Sequence, residues 1–186
     1  MKKIFLAALV LLAAGVLMRV RYANSRETLA AQREAVGTSW KTLDGALHDH
    51  AELMPTLASK VKVPEKLEAK TMETIGEARG VLGQERPAQD KIQAYSRLTR
   101  ESARLLLAAE QTPALRTDKE FLALKEALTE TDNRVLVARR KYNEALERYN
   151  ASLKVFPHNV VAALSGYTRD DAYFPTAPDA HASSKE

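Results

Sequence analysis

Residues 117–157, TDKEFLALKEALTETDNRVLVARRKYNEALERYNASLKVFP, establish the fold class of this chain. Apolar and small side chains recur there at alternating steps of three and four. This 3.5-residue repeat is typical of a helix edge, or seam, that packs on another helix. Thr117 and Glu120 have the spacing of a capping box that starts a helix, and Pro157 should stop it. The predicted seam comprises Phe121, Leu124, Leu128, Thr131, Val135, Ala138, Tyr142, Ala145, Tyr149, Ser152 and Phe156.

A second seam with the same repeat runs through residues 29–61. Only Arg33 and His50 interrupt its apolar character. Pro55 falls inside it and should kink the helix, because proline removes a backbone hydrogen bond. The predicted seam comprises Leu29, Arg33, Val36, Trp40, Leu43, Leu47, His50, Met54, Leu57 and Val61.

Two shorter helices are predicted between the seams. Val63-Pro64 marks a break, and Pro64 can open the next helix as a first-turn residue. Gly80, Gly83 and Pro87 end that helix, and a third starts near Pro87. Their predicted packing faces are Leu67, Ile75, Ala78 and Leu82, then Ile92, Tyr95, Thr99, Ser102, Leu106 and Ala109.

These elements predict an all-α fold, because no single helix can bury its own apolar stripe. The expected architecture is an elongated antiparallel bundle of about four helices, the first and last long, after an N-terminal membrane segment. Low aromatic content (6%) and only 7 Gly and 7 Pro agree with it. The expected divisions are residues 1–22 as an anchor or uncleaved signal-like segment, 23–156 as the bundle, 157–175 as a C-terminal capping segment and 176–186 as a disordered tail.

The N-terminus predicts contact with a lipid bilayer. Lys2 and Lys3 precede an apolar run from Ile4 to Met18, which spans about 22 Å as a helix against about 30 Å of bilayer core. One interpretation is a retained transmembrane helix; the other is a cleaved signal peptide, with Ala13 and Gly15 near the cleavage point. The basic residues after the run favour a cytoplasmic body, whereas the signal-like start favours the opposite orientation. The predicted anchor residues are Ile4, Phe5, Leu6, Leu9, Val10, Leu11, Leu12, Val16, Leu17 and Met18.

Catalytic and metal-binding chemistry is not predicted. The chain has no cysteine, which excludes disulfides, thiolate metal sites and a cysteine nucleophile. His48 and His50 are two residues apart, so on a helix their rings point about 200° apart and cannot clasp one ion. Hence His50 is predicted to be a polar seam residue and His48 a surface residue. No cofactor is expected. No nucleic-acid partner is expected either, because Lys2 and Lys3 supply two of the four net positive charges and the rest of the chain is therefore only weakly basic.

Two Tyr-Asn pairs, Tyr142-Asn143 and Tyr149-Asn150, lie seven residues apart. The simpler interpretation is that both tyrosines are core residues whose hydroxyl groups need partners, which the asparagines supply. The alternative is a polar layer that recognises a partner helix.

These motifs resemble the LemA family of bacterial membrane-associated proteins. The C-terminal block is the more specific part: LTETDNR at 128–134, ARRKYN at 138–143, then Tyr149-Asn150 and Phe156-Pro157. Two departures are His48-Asp49-His50, where the family often has a basic pair, and Thr56, where it usually has Asn. The motif residues, expected to be structural, are Trp40, Asp44, Pro55, Asp132, Asn133, Arg134, Arg139, Tyr142, Asn143, Tyr149, Asn150, Phe156 and Pro157.

The resemblance implies a short membrane segment followed by a long helical bundle, in a family not known as enzymes. The predicted function is therefore a membrane-anchored helical scaffold or interaction protein without catalytic activity. Its expected location is the bacterial inner membrane, as a single-pass protein. The expected partners are the lipid bilayer and another membrane or membrane-associated protein, with a homo-oligomer as a further possibility. The alternative function is a secreted or periplasmic helical binding protein with a cleaved signal peptide.

Overall fold

A computed structural model describes residues 2–61 and 65–175, and every regular element in those ranges is helical. The predicted all-α class is confirmed. The helices are α1 (Lys2–Lys60), α2 (Glu65–Leu82), α3 (Ala88–Glu110), a short 3-10 helix (Pro113–Arg116), α4 (Lys119–Ser152) and α5 (His158–Ser165).

The chain divides into two compact units. The first unit combines α1 up to Thr38 with Asn143–Asp171, and the second combines Ser39–Tyr142 with the segment that starts at Ala172.

In the second unit, α1 and α4 pack antiparallel. The Trp40 and Tyr142 rings lie 5.2 Å apart between centroids. Further along α1, Asp49 pairs with Arg134 at 3.1 Å, and Lys60 pairs with Glu120 near the start of α4. Residue numbers rise along α1 as they fall along α4, which confirms the predicted antiparallel arrangement of the two long helices.

The predicted seams form much of the core. Leu43, Leu47, Met54 and Leu57 are fully buried on α1, and the α4 seam is buried at nearly every position from Phe121 to Tyr149. His50 is also buried, whereas His48 is exposed, as predicted. Arg33 is an exception, because its side chain is exposed.

Both predicted ends of α4 are wrong by one to four residues. The helix begins after Asp118, whose carboxylate accepts a 2.9 Å hydrogen bond from the Phe121 amide, so Asp118 and not Thr117 is the cap. It ends at Ser152 rather than beside Pro157, and the Phe156 side chain is 75% exposed instead of buried in the seam. Proline disfavours the helical conformation in the residue before it, so the last turn unwinds early.

The predicted packing face of α3 is confirmed at four of its six positions, Ile92, Tyr95, Ser102 and Ala109, which are buried. Leu98 and Leu105 are buried in place of the other two. Leu106 is half-buried, and Thr99 is exposed, its hydroxyl donating to the Tyr95 carbonyl of the same helix. Buried positions at Ile92, Tyr95, Leu98, Ser102, Leu105 and Ala109 still keep helical spacing.

The first unit has a small core. Leu29 of α1 packs with Val161 and Ala162 of α5. The chain leaves α5 through Gly166, at φ +72°, a left-handed conformation that suits glycine. Along α1, the Tyr22 hydroxyl lies 3.2 Å from Ser165 Oγ.

Several predictions concern residues outside the described ranges. These are the break at Val63-Pro64, the start of a helix at Pro64 and the tail 176–186. The side chains of Ile4, Phe5, Leu6, Val10 and Leu67 are likewise outside the described part. Over residues 2–61 and 65–175, no helix combines the length and apolar character that crossing a membrane requires.

Candidate functional site

In the second unit, α4 holds the extended segment at residues 172–175. The Tyr142 hydroxyl, fully buried, donates a 2.9 Å hydrogen bond to the Ala172 carbonyl. The Arg139 guanidinium donates to the Pro175 carbonyl at 3.1 Å and lies 5.7 Å from the ring centroid of Phe174, in a cation–π contact. Phe174 is itself buried and lies edge-on to Tyr95 at 5.9 Å. One helix face therefore binds both the backbone and the aromatic side chain of this segment.

In the first unit, α4 binds residues 168–170 in a similar way. The Tyr149 hydroxyl donates to the Thr168 carbonyl at 2.9 Å. Asn150 Nδ2 donates to the Asp170 carbonyl at 2.6 Å, and Asn150 Oδ1 accepts a 3.1 Å hydrogen bond from the Asp170 N–H. The Asn150 side chain thus pairs with both backbone groups of Asp170. Burial raises the pKa of Tyr149, which keeps its hydroxyl a donor.

The sequence did not predict the acceptors of the two tyrosine hydroxyls. Backbone carbonyls at Thr168 and Ala172 accept their protons, and Asn150 also binds the backbone, at Asp170. Both tyrosines are core residues, as the simpler interpretation held. The sequence holds no signal for the acceptors, because a main-chain carbonyl exists at every residue.

In the second unit, a polar cluster of the buried His50 and Tyr95 with the exposed Asp132 joins α1, α3 and α4. His50 Nδ1 lies 2.9 Å from Asp132 Oδ1, and the Tyr95 hydroxyl donates to the same oxygen at 3.4 Å. The His50 and Tyr95 rings meet edge to face at 5.3 Å. Burial, then the Asp132 carboxylate, raises the pKa of Tyr95. Since His50 is fully buried, its ring is out of reach of a solute.

A second polar contact ties α1 to α3. The buried Lys91 ammonium donates to both carboxylate oxygens of Asp44, at 2.6 and 2.8 Å. A buried charge needs such a partner, because its transfer from water is costly. Closer to the surface, Arg79 makes a forked contact with Glu52 and holds the pKa of that carboxyl below its usual range.

A shallow groove of about 610 Å³ lies between α1 and α4 in the second unit. We call it the α1–α4 groove. Its floor holds small residues such as Gly45 and Ala138, and the exposed Val137 side chain stands on one wall. The lining residues are Lys41, Thr42, Gly45, Ala46, Asp49, Glu130, Asn133, Arg134, Val137, Ala138 and Lys141.

The two ends of the α1–α4 groove carry opposite charge. Lys41 and Lys141 line one end; Asp49 and Glu130 line the other, where Arg134 pairs with Asp49. This order follows from the antiparallel pairing of the two helices. The groove therefore offers an apolar floor with a positive and a negative end.

A smaller groove of about 320 Å³ lies in the first unit. Met18, Arg21 and Tyr22 of α1 form one side, and the α4–α5 turn with the start of α5 forms the other. In the described part of the chain, no three His, Asp or Glu side chains are grouped so that they could hold a metal ion.

Comparison with known proteins shows the family to which this chain belongs. A sequence profile of the LemA family matches residues 39–185. The chain belongs to the LemA family. Thus the resemblance predicted from the motifs is confirmed over residues 39–185.

Two curated relatives lie at a greater distance from this LemA-family chain. They are magnetosome protein MamQ 1 and magnetosome protein MamQ 2 of Paramagnetospirillum magneticum (strain ATCC 700264 / AMB-1). Each is 29% identical over 75 residues, which is 40% of this chain and 27% of the relative. The chain therefore aligns with about a quarter of each relative.

The LemA motif residues occupy three places in the structure. Trp40, Asp44 and Asp132 belong to the aromatic and polar contacts in the core of the second unit, and Asn133 and Arg134 line the α1–α4 groove. The C-terminal segment is bound by Arg139, Tyr142, Tyr149 and Asn150.

Four further LemA motif residues have no such role in common. Asn143 is half-buried on α4. Pro55 lies inside α1, and Phe156-Pro157 forms part of the groove in the first unit. Lys91, Tyr95 and Phe174 were not predicted to be site residues, although they complete the polar and aromatic contacts.

Proposed function

We propose that this LemA-family chain is a single-pass, membrane-anchored helical scaffold of the bacterial inner membrane, without catalytic activity. One observation carries the anchor: every described side chain from Leu11 to Asn24 is exposed, although most of them up to Tyr22 are apolar. Leu12, for example, is 68% exposed. An exposed apolar stretch of this extent calls for a covering, and lipid is the covering that its basic flanks fit.

Burial in lipid would stabilise the anchor substantially. Each large apolar side chain contributes about 1.5–3 kcal/mol when it leaves water. Arg19 and Arg21 can extend their charged ends to the headgroups while their stems stay in apolar surroundings. Because the arginine side chains extend the helix toward the headgroups, the predicted apolar run can cross a bilayer although it is shorter than the bilayer core.

The test uses one matched pair of substitutions in the full chain. Val16 in the anchor is 56% exposed, and Val137 on α4 is 55% exposed. Val16→Lys should move protein from the carbonate-resistant membrane fraction to the soluble fraction, since a lysine at the centre of a membrane helix costs about 2.5–3.5 kcal/mol. Val137→Lys should leave fractionation unchanged. Salt alone releasing the wild-type protein would overturn the proposal.

The alternative function, a secreted or periplasmic binding protein, rests on the signal-like start of Lys2, Lys3 and the apolar run. It predicts a shorter mature chain. Intact-mass measurement on protein purified from membranes should show a chain that keeps the apolar run. Loss of about 15 or more N-terminal residues would favour the secreted form.

We also propose an occupant for the α1–α4 groove: a second copy of this chain. The argument is charge complementarity. Two copies placed antiparallel would bring Lys41 and Lys141 of one to Asp49 and Glu130 of the other, over the small residues of the floor. Such a contact makes the scaffold self-assembling, and a helix of another membrane-associated protein is the competing occupant.

Charge reversal separates these occupants. Glu130→Lys and Lys141→Glu should each weaken self-association, measured by sedimentation in detergent, and the double variant should restore it because each new charge meets its opposite. Arg100→Glu, on the exposed side of α3, is the control. A monomeric wild type whose groove cross-links instead to another membrane protein would overturn the second-copy assignment.

A further inference from the structure

The turn between α4 and α5 and the exposed face of α5 carry four large apolar side chains. Phe156 is 75% exposed and Leu164 is 72% exposed, and Val155 and Val160 are also exposed. We call these four residues the α5 corner. Isolated apolar side chains on a surface need no explanation, but four of them in ten residues form a patch.

The α5 corner lies outside the buried cluster of the first unit. Val161 and Ala162 are buried with Leu29 of α1, while Val160 and Leu164 on the same helix are exposed. Because residues four apart share one helix face, Val160 and Leu164 lie together. The core of the first unit therefore leaves these apolar side chains uncovered.

The position of the α5 corner relates it to the proposed anchor. Phe156 and Val160 line the same groove as Met18 and Arg21, and the Tyr22 hydroxyl lies 3.2 Å from Ser165 Oγ. From Met18 to Tyr22, α1 advances by only about 6 Å. The corner therefore stands beside the last turn of the apolar run.

The residues around this turn fit a lipid interface. Arg19, Arg21 and Lys154 are exposed and cationic, which suits anionic headgroups. Tyr22 is an aromatic residue with a polar end, the type enriched at membrane–water interfaces. The occupant that these charges and apolar side chains fit together is a bilayer surface.

We infer that the α5 corner inserts into the headgroup–acyl boundary of the bilayer that holds the anchor, as a second membrane contact of the first unit. The inference rests on the proposed anchoring. An apolar helix face buried at that depth gains affinity from its buried area and from nearby basic residues. The corner would then fix how the first unit meets the membrane, because a second contact prevents the rotation about the axis of α1 that the anchor alone allows.

The test exploits the absence of cysteine from the chain. Single-cysteine variants of the full chain, Phe156→Cys and Leu164→Cys, carry a small environment-sensitive fluorophore in vesicles of equimolar phosphatidylcholine and phosphatidylglycerol. Leu12→Cys reports the anchor, and Leu107→Cys is the control, at an exposed apolar position of the second unit outside the α1–α4 groove. Quenching is measured with lipids that carry a nitroxide near the headgroup end or deep in the acyl chain.

Labels at both corner positions should be quenched by the shallow nitroxide about twofold or more relative to Leu107→Cys, and the label at position 12 by the deep nitroxide. Corner labels that behave like Leu107→Cys, with position 12 still quenched, would overturn this inference and leave the anchor standing. An unquenched position 12 would overturn the proposed function itself. Two independent corner sites guard against one label disturbing the fold.

Discussion

The two units of this chain bury their apolar residues to different extents. The second unit contains a long row of fully buried side chains on α1, such as Leu43, Leu47 and Leu57. The first unit has a small cluster around Leu29, and much of its remaining apolar surface is exposed. The same residue types therefore serve as core in one unit and as uncovered surface in the other. Local stability depends on this difference, because opening free energy follows buried apolar contact.

The largest effect should come from deleting one core leucine in each unit. Leu47→Ala should lower the free energy of unfolding by about 2–5 kcal/mol, because a closely packed site cannot collapse around the cavity. Leu29→Ala should cost less and act locally, since its small cluster can relax. Denaturant unfolding measures the free energies, and hydrogen exchange shows which amides lose protection. Equal costs and equally widespread loss of protection would contradict the contrast between the units.

A smaller effect should follow from removing one hydroxyl group in each unit. Tyr142→Phe and Tyr149→Phe each delete a hydrogen bond to a backbone carbonyl, at Ala172 and Thr168, and should cost about 0.5–1.5 kcal/mol. Tyr142→Phe should weaken protection in the part of the segment that belongs to the second unit, and Tyr149→Phe in the part that belongs to the first. Exchange measured by mass spectrometry on peptides covering residues 166–175 gives the readout. No change in either variant would show that these bonds are not needed to hold the segment.

Two helical glycines offer a stabilising test of similar or smaller size. Gly37 in the first unit and Gly45 in the second both lie inside α1, and an added Cβ would meet nothing within 4 Å at either site. Gly37→Ala and Gly45→Ala should each raise the free energy of unfolding by about 0.5–1 kcal/mol. The free energy of unfolding should be measured at low protein concentration, so that self-association does not contribute to it. A destabilising Gly45→Ala would mean that another helix approaches the α1–α4 groove more closely than the single chain shows.

The smallest expected effect concerns pH and the second unit alone. The Phe121 amide, by its hydrogen bond, holds the pKa of the Asp118 carboxyl below its usual range. A lowered pKa in the folded state means that Asp118 stabilises the fold above its unfolded pKa and loses this contribution as pH falls through its folded pKa. Replacing it with Asn keeps a cap but removes the titration.

The melting temperature of Asp118→Asn, followed from pH 7 into the acid range, should therefore fall less steeply than that of the wild type. Parallel pH curves for the two proteins would show that Asp118 contributes nothing to acid sensitivity. Thr117→Ala is the matched control, because Thr117 was the predicted cap and is not the residue that bonds to Phe121.

The sequence predicted α4 far better than α3. A seam of large apolar residues with one repeat over many turns has a single face to bury, so the periodicity of α4 identified its core from Phe121 to Tyr149. On α3 the apolar and small residues surround more of the helix, and two faces compete. The contacts of Lys91 with Asp44 and of Tyr95 with Asp132 help select the observed one.

Helix ends were less predictable than helix faces. Thr117 and Asp118 are adjacent residues that can both cap a helix, and the choice depends on where the preceding 3-10 turn places the backbone. At the other end of α4, the seam pattern continued to Phe156 beyond the last helical residue. A repeat of side-chain polarity does not indicate the residue at which the backbone leaves the helical conformation.

By itself, the sequence determined the helical class, the two long seams, the burial of His50 and the membership of the LemA family. Each depends on spacing or on residue identity along one helix, which local geometry translates directly into a face. Only the tertiary structure decided that Tyr142, Tyr149 and Asn150 bind a C-terminal segment, and that the α5 corner stands beside Tyr22. Those contacts join residues far apart in the chain. They involve main-chain groups, which every residue has, or exposed faces, and neither produces a periodic pattern in the sequence.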